Sequence, residues 1–273
     1  MKMQDMDKPV EGSKDVKGKG KVDVVKNKKT SATENLWKID GLPSGYKFYP
    51  EGSELLGRPL QVLDVKYLSS MNETNYNTII NEVVRRCTTG MDVNDLLVAD
   101  KLYTIFWLRA NTYKESGYSV DFKCPKCKVT SDYNFSLDCL DIISVPDKYD
   151  PEKEIEIPNS QDSFQLNYLR VNDELFIEEF VQKRETQLAK FDREVLQIAQ
   201  AITINGQKWD LAKKYQYLVN LHPSQYSFIE SYAKHIDIGI SPVMNVKCNK
   251  CGGSAQIGVT FSGSFFVPEY KFE

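Results

Sequence analysis

Histidine is scarce in this chain: two residues, His222 and His235, in 273. His222 precedes Pro223 at a predicted helix start, and His235 stands near a helix end, where a positive charge suits the dipole. Neither has a serine or cysteine signature around it that would mark a nucleophile. No phosphate loop, GxGxxG or GxSxG occurs, so no sequence feature argues for an enzyme. No run of about 18 apolar residues appears, so no membrane-spanning helix is expected. The N-terminal stretch MKMQDMDKPVEGSKD has no apolar signal region, so secretory export is not expected either. A formal charge of −3 gives no global attraction to nucleic acid or an anionic membrane. Six cysteines are too few for a disulfide-dependent secreted domain. With 41% hydrophobic and 27% charged residues, the rest of the composition is that of an ordinary globular protein.

Residues 1–35 differ in composition from the remainder of the chain. Lys14 to Lys29 is rich in lysine and glycine and has no aromatic residue, so alone it cannot offset the entropy of ordering. It reads as an arm that is solvated when free and orders on a neighbouring subunit, with Lys17, Lys19, Lys21, Lys28 and Lys29 as candidate contacts. Residues 36–273 read as a single α+β domain: a helical middle closed by two zinc-knuckle β-hairpins, with the arm extending from it. A turn is expected at Pro43 and Gly45 and a short strand over Leu60–Val65. An amphipathic helix is expected over Glu73–Cys87, apolar at Ile79, Ile80, Val83, Val84 and Cys87. A broadly apolar helix over Asp92–Tyr113 would be buried on several sides, capped by Asp92 or Asn94. Asp100 and Arg109 within it read as an internal ion pair or a partner contact, the structural role being the favoured one. Beyond an acidic loop at Val145–Pro158, Asp173–Ile204 reads as a long helical stretch broken once. Leu211–Leu221 and Pro223–Ile236 read as two more helices.

Four of the six cysteines form two pairs, Cys124-Pro-Lys-Cys127 and Cys248-Asn-Lys-Cys251, each set between alternating segments. A Cys-x-x-Cys turn brings two sulfurs within reach of one ion, and two such turns fill the tetrahedral shell that zinc prefers. The expectation is a zinc ribbon split between residues 118–137 and 242–261, holding one structural zinc ion. Disulfide or redox-active pairs, and reduced thiols without metal, are the alternatives. The long separation is no obstacle: tripling a loop costs roughly 1 kcal/mol, against on the order of 10 kcal/mol from structural zinc. Cys87 and Cys139 fall outside the pattern and read as small core hydrophobes.

Several segments in order resemble the baseplate hub protein family of T-even-like contractile-tailed phages. They are Leu42-Pro-Ser-Gly, Asp95-Leu-Leu-Val-Ala-Asp100, Leu108-Arg-Ala-Asn-Thr-Tyr113, Phe122-Lys-Cys-Pro-Lys-Cys127, Cys248-Asn-Lys-Cys-Gly252 and Ser264-Phe-Phe-Val-Pro268. The resemblance spans Leu42 to Pro268. One departure is Lys128, standing where a glycine commonly follows such a pair. The resemblance implies a non-enzymatic component of the virion tail baseplate, assembled in the host cytoplasm and binding other phage tail proteins rather than a membrane or a small-molecule substrate. Phe265 and Phe266 are either a further partner contact or a terminal segment packed on the protein's own core. The competing function is a nucleic-acid-binding zinc ribbon, in which Lys123, Lys126, Lys128, Lys247 and Lys250 would meet phosphates. A zinc or thiol enzyme is disfavoured because four cysteines leave the ion no open position.

Overall fold

The computed structural model describes residues 19–20, 36–72, 74–113, 118–135, 140–186, 190–241, 243–258 and 266. Among these, seven α-helices and several small antiparallel sheets are formed. Strand β1 (Lys19–Gly20) is followed by β2 (Trp37–Lys38) and β3 (Leu56–Gly57), which pair with each other. The chain then forms α1 (Val62–Ser69) and α2 (Tyr76–Cys87), returns to β3 as β4 (Thr88–Thr89), and enters α3 (Val98–Thr112). The expected turn at Pro43 and Gly45 is present, with Gly45 at φ +58°.

The α2 stripe Ile79, Ile80, Val83, Val84 and Cys87 is buried throughout, and Arg85 and Arg86 in its last turn suit the carbonyl end of the dipole. Directly beyond it, Gly90 at φ +97° crosses the backbone at Glu54 so closely that a Cβ would stand 2.2 Å from the Glu54 oxygen. Helix α3 buries eleven of its fifteen residues, among them Tyr103, Phe106 and Trp107, as its broad apolar surface predicts.

Two expectations in this half are corrected. Leu60–Val65 is not a strand, because the buried Asp64 carboxylate organises a helix start there. It accepts from the Gln61 N–H (2.9 Å), from Arg58 Nη1 (2.8 Å) and from Arg86 Nε (3.1 Å). That anchoring turns Val62 and Leu63 outward, 72% and 66% exposed, so the alternation does not report a buried sheet face. Nor does a continuous helix begin at Asp92. Asp92 caps a single 3-10 turn, Val93–Asp95, by accepting from the Asn94 N–H (2.9 Å). Leu96 and Leu97 are then extended, because their surroundings supply strand-like partners. The Leu96 carbonyl accepts from the Val171 N–H, and the Val98 N–H donates to Leu169, each at 2.9 Å. In α3, Asp100 is buried and its carboxylate accepts from the Ser44 N–H (3.0 Å) and the Tyr49 hydroxyl, while Arg109 is also buried. Burial raises the Asp100 carboxyl above the usual carboxylate range.

The hairpin β5 (Tyr118–Lys123) and β6 (Thr130–Phe135) follows. Strand β7 (Ile142–Ile143) comes next, then β8 (Ile155–Glu156), β9 (Ser163–Leu166), α4 (Val171–Arg184), α5 (Arg193–Ala201) and β10 (Ile202–Ile204). The helical stretch is broken once, as expected, but ends three residues earlier. Ile202 and Ile204 alternate into a buried cluster and pair with Leu166 and Phe164, so β10 joins β9 and β8 instead of extending the helix. Helices α6 (Leu211–Val219) and α7 (Pro223–Ile236) stand where the periodicity places them. His222 caps α7 through Nδ1, which accepts from the Ser224 N–H. Strand β11 (Gly239–Ile240) and β1 flank β7, and β12 (Val243–Lys247) and β13 (Ser254–Gly258) form the last hairpin among the described residues.

Two large buried clusters result. One gathers residues from Ile39 to Ala110 with Leu140, Ile142, Val171 and Phe266; the other runs from Ile157 to Ile236 through the helices α4 to α7. A smaller cluster of Leu97, Val145 and Ile238, with Phe48, Tyr149 and Tyr168 packed against it, lies between elements of both.

Candidate metal centre

Each cysteine pair sits at the tip of its own hairpin, and the two tips are built alike. Register pairs Lys123 with Thr130 and Lys247 with Ser254, so both strands stop one residue before the first cysteine and resume three after the second. In the first turn the Cys124 N–H donates to the Val129 carbonyl (3.0 Å) and the Lys128 N–H to Cys124 (2.9 Å). In the second the Cys248 N–H donates to the Gly253 carbonyl (2.9 Å) and the Gly252 N–H to Cys248 (2.8 Å). Lys128 at φ +61° therefore takes the same left-handed conformation as Gly252 at φ +66°. The departure noted in the sequence changes the residue and keeps the turn.

The turns face one another. Cys124 Sγ lies 3.7 Å from Cys251 Sγ and Cys127 Sγ 3.7 Å from Cys248 Sγ, and all four sulfurs fall within 4.8 Å of each other. A zinc ion with Zn–S bonds of about 2.3 Å needs sulfurs roughly 3.8 Å apart at the corners of a tetrahedron. The cluster fits that edge, whereas a disulfide requires about 2.05 Å. None of the four is disulfide-bonded in this structure. Phe122, Val246 and Ile257 form a small buried cluster with Cys124 and Cys248, shielding the inner side. At Gly253 the second tip packs against the first: a Cβ there would stand 3.3 Å from Lys126 Cδ, and 3.3 Å from Cys251 Sγ of its own turn. The spacing of the cysteines carries no signal of that approach.

Backbone amides prepare the sulfurs for negative charge. The Cys127 N–H foremost, then that of Lys126, brings the Cys124 thiol down to about 6. The Cys251 and Lys250 N–H groups lower Cys248 in the same way. Cys127 is pushed up to about 11: an N–H at Val129 pulls it down, but burial and the sulfurs of Cys248, Cys251 and Cys124 outweigh it. Four sulfurs within 4.8 Å of one another would repel as thiolates, and a cation between them would remove that repulsion. A cluster of this kind is suited to holding a soft divalent ion in a closed shell.

The remaining candidates are dispersed. Lys17, Lys21, Lys28, Lys29 and Phe265, like Cys139, lie outside the described residues. The Lys19 backbone pairs with Ile143 of the same chain. Phe266 is fully buried in the first large cluster, the self-packed of its two readings. Cys87 is buried on α2, and burial pushes its thiol up to about 12. Lys123, Lys126, Lys128, Lys247 and Lys250 are all exposed around the tips. No helix among the described residues is long and apolar enough to cross a membrane.

Neither a curated protein nor a solved structure is matched by this chain. A protein-family model does match: over residues 41–267, most of the chain, the sequence conforms to the family described as T4 bacteriophage base plate protein, and the chain belongs to that family.

Proposed function

We propose that the chain is a non-enzymatic structural component of a contractile phage tail baseplate, placed at or near the hub and bound to other tail proteins. The match over residues 41–267 is the observation that carries this reading. Within it, Cys124, Cys127, Cys248 and Cys251 hold one structural zinc ion. The 3.7 Å sulfur separations support zinc, and a shell of four thiolates leaves no position for water or substrate. The ion supplies cohesion between two hairpins far apart in the chain. Contacts through the arm lysines Lys17, Lys19, Lys21, Lys28 and Lys29, and through Phe265, belong to this proposal; Phe266 does not, since its side chain is used internally.

The test is to follow the protein in infected cells. It should copurify with tails or baseplate intermediates, and its deletion should stop tail assembly. Recovery only as a free protein, with normal tails after deletion, would refute the reading. The five exposed lysines at the knuckle tips favour one second reading, a zinc ribbon that binds nucleic acid. A mobility-shift titration at low salt decides it, since contacts to phosphate are strongest there. The tail reading predicts no shift.

A further inference from the structure

Both sulfur–sulfur contacts of 3.7 Å run between the tips, Cys124 with Cys251 and Cys127 with Cys248. Each pairs a buried sulfur with a partly exposed one: Cys124 and Cys248 are buried, while Cys251 and Cys127 are half-buried. A small solute can therefore reach one sulfur of each pair. Within a turn, the first sulfur is tied to its own backbone. Cys124 Sγ accepts from the Cys127 and Lys126 N–H groups, and Cys248 Sγ from those of Cys251 and Lys250. The turns are also closed by the Lys128 N–H donating to Cys124 and the Gly252 N–H donating to Cys248. A disulfide inside either turn would have to deform it. One across the tips needs the facing sulfurs to approach by about 1.7 Å, which rotation of the two side chains can supply.

We propose that the four cysteines are also a reversible redox joint: when no ion is held, a hydroperoxide links Cys124 to Cys251 and Cys127 to Cys248, and two disulfides then hold the tips together. The reachable sulfur of each pair, Cys251 or Cys127, attacks the peroxide. An S–O bond forms, the O–O bond breaks and hydroxide leaves. The facing thiol then attacks the sulfenic sulfur, forming S–S and releasing water. Each pair gives up two electrons and two protons, and one hydrogen peroxide becomes two waters. The inference deepens the metal-centre reading, and its use follows from the baseplate one. A particle assembled in a reducing cytoplasm passes into oxidising surroundings, where covalent links can outlast the ion.

Treating the full chain with hydrogen peroxide, with and without a chelator, tests the pairing on a non-reducing gel and by peptide mapping. Cross-tip links join cysteines 127 and 121 residues apart, so the denatured oxidised chain should run ahead of the reduced one. Links inside the turns would leave its mobility unchanged. Lys123, Lys126, Lys128, Lys247 and Lys250 let trypsin cut between all four cysteines, so mass spectrometry reads each pairing directly. Cys124→Ser should lose one link and keep Cys127 joined to Cys248, still running ahead. Dithiothreitol should restore the slower mobility. In-turn pairs on the map, an unshifted band, or links only between separate chains would each overturn the proposal. Elemental analysis of the untreated chain reads the metal independently: a chain that holds no zinc yet links across its tips would sink the zinc reading and leave this one standing.

Discussion

Lys128 holds a left-handed backbone that costs a non-glycine residue roughly 1–2 kcal/mol, while Gly252 takes the same conformation freely. Glycine gives back roughly 0.5–1 kcal/mol through its greater freedom in the unfolded chain. Lys128→Gly should therefore stabilise the protein by roughly 0.5–1 kcal/mol, read as a higher denaturant midpoint at unchanged slope. Gly90 is the opposite case. Gly90→Ala adds a methyl 2.2 Å from the Glu54 carbonyl oxygen at φ +97°, and stability should fall by roughly 3 kcal/mol or more. Asp64 provides the pH test. Burial alone would raise its carboxyl, but Arg58 and the Gln61 N–H outweigh that and hold it below the usual range. Its folded value being depressed, its contribution is complete above the unfolded value of about 3.9 and fades as pH falls through the folded one. Asp64→Asn should cost roughly 2–3 kcal/mol at neutral pH, and the gap to wild type should narrow in denaturation curves taken below about pH 4. A gap that stays constant in acid would show that Asp64 acts through shape and not charge.

Among the elements, those with a local period were legible. The α2 stripe, the breadth of α3, the two late helices and both hairpins follow from repeats of 3.6 or 2, because each buries one face along its own length. The elements that were misread depend on distant partners. α1 is helical because Arg86, from the end of α2, meets Asp64; β10 is a strand because β9 offers it an edge. The two hairpins should act as one unit. If one ion joins them, Cys124→Ser and Cys251→Ser should each abolish tight zinc retention, and the double variant should be no less stable than either single one. Additive losses, measured by chemical denaturation, would mean that the two turns are independent.

For the molecule as a whole, the four sulfurs bring together positions 127 residues apart, yet the two large clusters are built without these four cysteines. Chelation should thus lower the thermal midpoint and free four thiols for titration, while the helical signal at low temperature persists. Loss of all helical signal on chelation, as in a small zinc finger, would show that the clip and the cores fold only together. By itself the sequence determined the two cysteine turns and the faces of the amphipathic helices, since each is written within a few neighbouring residues. Only the tertiary structure decided that Phe266 is buried in the first cluster, that Lys128 takes glycine's conformation, that Val62 and Leu63 face outward, and that the four sulfurs meet. Each of these depends on what the folded chain brings alongside, and burial by a remote partner leaves no periodic trace in the residues that receive it.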